Sequence, residues 1–145
     1  MLKEYLHPQR ILFDFAAATM EEAVRRCGQL LVAGGCAGPG YPDAMVQTVR
    51  EWGDSVVMVP RIAFPHAAFT AGGLRPGIAV IHLSTPLDFG GENGPVQYLF
   101  GFCGKNAESH MQVLSALAEF FSSPENGTRL AQAKDASALY QLLGQ

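Results

Sequence analysis

The sequence predicts an α/β fold: a three-layer α/β/α sandwich with a central mixed β-sheet flanked by helices on both faces. Two apolar runs of strand-forming residues, 77–84 and 96–103, have the length of buried strands. The Gly/Pro-rich loop between them, 86–95, is shorter than the crossover of about a dozen residues that parallel neighbours need, so the two strands are antiparallel if adjacent. Around them the patterns run strand, helix, helix, strand, strand, strand, helix, helix, an order that places helices on two sides of one sheet.

Taken in order, residues 11–15 (Ile-Leu-Phe-Asp-Phe) form the first strand. Thr19 reads as an N-cap with Glu22 at the capping-box spacing, and a helix from Met20 to Val32 stops at Gly34-Gly35. Residues 34–40, Gly-Gly-Cys-Ala-Gly-Pro-Gly, read as a turn and not as a phosphate loop. No Lys-Ser or Lys-Thr follows, and the segment joins two helices. Tyr41-Pro42-Asp43 restarts a helix, with proline early and an acid in the first turn, and this helix ends near Gly53. Ser55–Val59 reads as a strand. Past residues 96–103, Ser109-His110 opens an amphipathic helix with Met111, Leu114, Leu117, Ala118 and Phe121 on one face. Helices over about 127–133 and 137–143 close a chain with no repeat and no dividing linker, so residues 1–145 read as a single domain.

Composition narrows the function classes. The net charge is −3 and the basic residues are scattered, with Arg25-Arg26 the one adjacent pair, so a nucleic-acid footprint is not supported. Three cysteines, Cys27, Cys36 and Cys103, include no C-x-x-C pair, which argues against a disulfide scaffold or a cysteine-rich zinc site and for reduced thiols in a cytoplasmic setting. The first residues lack a signal-peptide layout, and no apolar run approaches the roughly 18–20 residues of a membrane span.

The chemistry gathers at Arg61-Ile62-Ala63-Phe64-Pro65-His66-Ala67. An apolar run leads into it, and Pro65 restricts the backbone beside His66. A neutral imidazole there has a lone pair that can attack phosphorus or bind a metal; a strand-end histidine without chemistry satisfies the same pattern. His110 falls in a helix first turn, where unpaired N–H groups favour anions, or is a surface histidine. Arg50 stands in the last turn of its helix, either as a solvated cation suited to the dipole or as a functional one. His82, inside a strand, reads as packed and hydrogen-bonded.

Three stretches together resemble the enzyme IIA domains of the mannitol/fructose class in the bacterial phosphoenolpyruvate-dependent sugar phosphotransferase system, with the nearest look to ascorbate-type members. Ile62-Ala63-Phe64-Pro65-His66-Ala67 is similar to the family's I-A-x-P-H-[AG] signature. Pro86-Leu87-Asp88-Phe89-Gly90 followed by Asn93-Gly94-Pro95-Val96 resembles the family's next loop, and Phe100-Gly101-Phe102-Cys103 with Ser109-His110 and Leu114-Leu117-Ala118 resembles its strand and histidine-led helix. Arg50 lies sixteen residues before His66, where mannitol-type members carry an active-site arginine. Two stretches depart from the pattern: Ser55 to Arg61 replaces a Gly/Thr-rich segment, and Ala68-Phe69-Thr70-Ala71 is more apolar than the family's. Arg61, directly before the signature, is not mapped onto the family pattern.

The resemblance implies a phosphoryl relay. His66 would take the group on Nε2 from the carrier protein HPr and pass it to a IIB partner, expected to offer a cysteine; a membrane IIC component would be an indirect partner. His110 would stabilise the phosphate, with Arg50 and Arg61 as candidate phosphate-binding cations. No metal, nucleotide or other cofactor is called for, and a homodimer stays open. Two other readings compete. A metal-dependent hydrolase built on His66, His82 and His110 lacks ligand spacing such as H-x-x-x-H. A regulatory module read out through the phosphorylation of His66, without onward transfer, uses the same residue. The sugar is not legible, because an enzyme IIA touches phosphoryl carriers only.

Overall fold

The computed structural model of the protein describes residues 2–145. Four strands form one sheet in the order β1-β3-β4-β2, with β1 at Ile11–Phe15, β2 at Ile62–Ala63, β3 at Gly77–Leu87 and β4 at Val96–Cys103. β3 and β4 are antiparallel, from Gly77 opposite Cys103 to Leu87 opposite Val96, while β1 on β3 and β2 on β4 are parallel. The sheet is therefore mixed, as its short central connection requires.

Both faces are covered, which explains why the two central strands are apolar almost throughout. Successive side chains point to opposite faces. Ala79, Ile81 and Leu83 of β3 and Leu99 and Cys103 of β4 join the core beneath α1 (Met20–Ala33) and α2 (Tyr41–Trp52). Ile78 and Val80, with Tyr98, Phe100 and Phe102, join the other core beneath α3 (Ala107–Phe121), α4 (Pro124–Gln132) and α5 (Ala136–Leu143). Gly101 is where α1 presses closest: a Cβ there would come within 2.4 Å of the Cys27 sulfur.

Capping sets the helix starts. The Thr19 hydroxyl accepts from the Glu22 N–H at 3.1 Å, but Glu22 reaches back to the N–H of Ala18, one residue before the cap, at 2.7 Å. α3 begins earlier than Ser109. Asn106 is its N-cap, accepting from the Ser109 N–H at 2.8 Å, and the Ser109 hydroxyl accepts from the Asn106 N–H at 3.2 Å. Ser109 thus plays the part usually taken by Glu or Gln in a capping box.

Four further differences from the sequence reading have physical causes. Ser55–Val59 is not a strand: Gly53–Val56 is a 3-10 turn, and the backbone reverses between Val59 and Ile62, with Arg61 at φ 72°. Val56 and Val57 are apolar because they are buried, not because they pair in a sheet, and a short apolar run cannot tell the two apart. β3 runs on through Pro86, where the ladder is irregular and the residues are exposed, a setting in which a missing N–H costs little. On α3 the deepest residues are Val113 and Leu117, whereas Met111 and Ala118 are exposed. α4 begins at Pro124, three residues before the expected start.

Candidate active site

The signature is held across the end of the sheet. β2 pairs Ile62 with Tyr98 and Ala63 with Leu99, and the chain then runs beside β4 until the Phe102 N–H donates to Pro65 O at 3.2 Å. His66 therefore emerges at the carboxyl ends of β2 and β4. Its ring stacks on Phe102, with centroids 4.7 Å apart and planes 24° from parallel. Its Nδ1 lies 2.8 Å from Phe64 O. A carbonyl can only accept, so Nδ1 carries the proton and the lone pair of the neutral ring is on Nε2.

His110 completes a cluster of three rings. It stands edge-on to His66 at 5.5 Å between centroids and lies 5.2 Å from Phe102. It sits in the first turn of α3, but its own N–H donates to Asn106 O, so its contribution is the side chain. Burial, and then the neighbouring His66, push its pKa below the ordinary imidazole value, so the ring is neutral at neutral pH. Its Nδ1 is buried and has no hydrogen-bond partner among the described residues. Gly104 makes the approach possible: a Cβ there would lie 2.5 Å from the His110 nitrogen.

Tyr41 holds this arrangement from behind. Its fully buried hydroxyl accepts from the Ala67 N–H at 3.1 Å and lies 2.9 Å from Phe102 O, to which it donates. One side chain thus ties the residue after His66 to the residue His66 stacks on. Burial raises the phenol pKa, which keeps it a donor. Tyr41 and Phe102 were not singled out from sequence. Phe102 had a signal, its inward alternation on β4; Tyr41, twenty-six residues from Ala67, had none.

The other candidates have contacts of their own. Arg50 is at the opposite end of α2 from Tyr41, about 13 Å along the axis at the helical rise, and its Nε is 3.6 Å from Glu21 Oε2. Arg61 bonds Gln97 through its side chain, and its carbonyl accepts from the Gln97 N–H at 2.8 Å. That is five residues, or roughly 16 Å, back along β4 from Phe102; among the described residues no hydrogen bond or ion pair links either arginine to the ring cluster. His82 stacks on Phe13 at 4.0 Å and accepts from the Asp14 N–H at 3.2 Å; burial, outweighing Asp14, lowers its pKa. It packs with Phe13, Asp14 and Tyr98, not with the other two histidines.

An apolar pocket of about 400 Å³ adjoins the cluster, lined by Met58, Val59, Phe64, Leu114, Leu117 and Phe121 among others. Phe64 is two residues from His66, and Leu114 is one turn beyond His110. Met58 and Met111 are each 54% exposed.

Comparison with known proteins places these features in a family. Residues 4–145 match the family described as phosphoenolpyruvate-dependent sugar phosphotransferase system, EIIA 2. The mannitol-specific phosphotransferase enzyme IIA component of Enterococcus faecalis is 37% identical over 119 residues, 79% of this chain and 80% of that protein. The ascorbate-specific PTS system EIIA component of Shigella boydii is 30% identical over 129 residues, 88% of this chain and 84% of that protein. Among solved structures, the complex of enzyme IIAMTL and phosphorylated enzyme IIBMTL from Escherichia coli contains a chain that superposes with a TM-score of 0.82 at 28% identity, covering 95% of this chain and 96% of that one.

Proposed function

The chain belongs to the EIIA 2 family of the phosphoenolpyruvate-dependent sugar phosphotransferase system, and from that premise we propose that His66 is its phosphoryl acceptor, at Nε2. The observation that carries this reading is the 2.8 Å contact between His66 Nδ1 and Phe64 O, which keeps the proton on Nδ1 and the lone pair on Nε2. Nε2 attacks the phosphorus of the phosphohistidine on HPr. The donor's N–P bond breaks, and its electron pair returns to the donor ring. In the second step a cysteine thiolate of a IIB partner attacks the same phosphorus, and the His66 N–P bond breaks to restore the imidazole. One N–P bond replaces another in the first step, so that step runs close to balance in both directions.

Positioning and charge stabilisation do most of the work in such a transfer, because the group in flight carries spread negative charge. His110 supplies part of it. It is neutral at rest, and a dianion beside it raises its pKa, so it becomes a charged donor when the phosphoryl group arrives. The stacked Phe102 and the Tyr41 clamp keep the His66 ring from turning. The pocket of Met58, Phe64 and Leu114 is the docking surface that HPr and IIB use in turn. The IIB assignment is supported by the mannitol relative solved with phosphorylated IIB. The sugar is set by the membrane partner; relatives specific for mannitol and for ascorbate both match.

The test is intact mass after incubation with phosphoenolpyruvate, enzyme I and HPr. Wild type gains one acid-labile phosphoryl group, about 80 mass units for the modification; His66→Ala gains none, and His110→Ala gains it more slowly. An unmodified wild type, or a modified His66→Ala, refutes the assignment. Phosphorylation without onward transfer to any IIB cysteine would make the protein a regulatory module.

A further inference from the structure

A second pocket, of about 410 Å³, opens where β1 and β3 begin and α1 ends. It is lined by His7, Gln9, Arg10, Arg26, Arg75, Leu30, Ala33 and Gly34, so three arginines line one cavity and no Asp or Glu does. On a chain of net charge −3 that concentration is local. The acids that neutralise other arginines are engaged elsewhere: Asp43 with Arg25, and Glu21 with Arg50. Glu22, one turn before Arg26, is bonded to the Ala18 N–H.

The cations are held in place by uncharged groups. Arg10 is 7% exposed; its Nε donates to Ile78 O at 3.1 Å and its Nη2 to Tyr5 O at 2.9 Å. Its Nη1 has no hydrogen-bond partner among the described residues and is not among their buried unsatisfied atoms, in a side chain that lines the pocket. Gly34 permits this, since a Cβ there would lie 2.9 Å from Nη1. Arg75 Nη2 donates to Gly34 O at 2.5 Å, and its guanidinium also hydrogen-bonds the Cys36 side chain. His7 Nδ1 accepts from the Gln9 N–H at 3.1 Å, which leaves the Nε2 proton to donate. Arg26 has no ion pair or hydrogen bond among the described residues. A largely buried guanidinium hydrogen-bonded to carbonyls keeps its charge, and an anion entering the pocket would relieve it. Beneath the floor, the fully buried Cys36 responds to that charge. Its pKa lies below the ordinary thiol value through the Cys103 side chain's hydrogen bond and, against burial, through Arg10 and Arg75.

We propose that this pocket binds a small phosphate monoester. Arginine forks match phosphate oxygens two at a time, which favours phosphate over a single carboxylate. Its size falls in the range of about 300–1,000 Å³ typical of small-molecule sites, larger than a bare phosphate requires. Leu30 and Ala33 supply an apolar wall for the organic part of the ester. The pocket shares no lining residue with the His66 cluster, and the proposal does not depend on the relay.

Titration of the full-length chain with glycerol 3-phosphate, and separately with inorganic phosphate, tests it. Ionic strength is held constant with sodium chloride, and the readouts are calorimetry and amide chemical shifts. Saturable binding of the ester is expected, with shifts gathered at Gln9, Gly34 and Arg75. Arg26→Gln and Arg75→Gln should each weaken it about tenfold, the loss of one charge-assisted contact. Arg26→Gln removes no hydrogen bond or ion pair among the described residues, and an unchanged thermal midpoint of the variant separates lost binding from a folding defect. Heat no greater than chloride produces, shifts gathered at His66 and His110, or variants that bind like wild type would overturn the site. Tighter binding of inorganic phosphate than of the ester would overturn the ligand class. No phosphoryl donor is present, so failure here leaves the relay standing.

Discussion

Replacing Tyr41 by phenylalanine removes one oxygen and separates two segments of the active site. The hydroxyl is fully buried and accepts from the Ala67 N–H at 3.1 Å while donating to Phe102 O at 2.9 Å. The ring itself still fits, so no cavity term enters. The cost is that of leaving the buried Ala67 N–H unpaired, about 2 kcal/mol, together with a weakened Phe102 carbonyl. For a chain of 145 residues this lowers Tm by roughly 4–8 °C. Urea unfolding checks it: the midpoint should fall while the slope, which follows exposed surface, stays unchanged. Because Ala67 follows His66 and Phe102 supports its ring, phosphoryl acceptance should slow without being abolished. A loss of stability below about 0.5 kcal/mol, within the ordinary spread of surface changes, would refute the reasoning, since it would mean that Ala67 finds another acceptor. A full loss with unaltered transfer would show that Tyr41 supports the fold and not the His66 geometry.

Three further expectations follow from the same geometry. His82 and His110 both have folded-state pKa values below 6.5, so the unfolded chain binds more protons through that window; stability should be full above about pH 6.5 and fall as the pH drops toward the folded values. Urea midpoints that stay flat from neutral pH to about pH 5 would contradict this. Gly104→Ala sets a Cβ 2.5 Å from the His110 backbone nitrogen; it should cost about 3 kcal/mol and slow transfer by displacing α3, seen in thermal unfolding and in the intact-mass time course. Met58→Glu places a charge at the mouth of the apolar pocket. It should raise the HPr concentration needed for half-maximal transfer about tenfold while leaving Tm unchanged, and an unaltered concentration dependence would remove Met58 from the docking surface.

Much of this protein is written locally. The helix at Met20 announces itself through Thr19, the one at Tyr41 through Pro42 and Asp43, and the strands at 77 and 96 through runs of β-formers bounded by Gly and Pro. These signals arise within a turn or a strand length, where propensity and burial act directly on neighbouring residues. The nucleophile candidate was legible too, because Pro65 and the apolar run mark the position of His66 from within the same segment. The run before it misled at Ser55–Val59. There, burial against α1 and α2 produces the composition of a strand without its pairing.

Sequence alone determined that the sheet is mixed, that helices flank it, and that His66 and His110 are the residues to examine. It did not determine that their rings meet at 5.5 Å, that the Phe64 carbonyl holds the proton on Nδ1 of His66, or that Tyr41 ties Ala67 to Phe102. Nor did it show that Arg50 pairs with Glu21 and Arg61 with Gln97 while Arg10, Arg26 and Arg75 line another pocket. Those are facts about contacts between segments far apart in the chain. Such contacts are decided by how two cores pack on one twisted sheet, through close approaches such as Gly101 on Cys27 and Gly104 on His110, and no local periodicity records them.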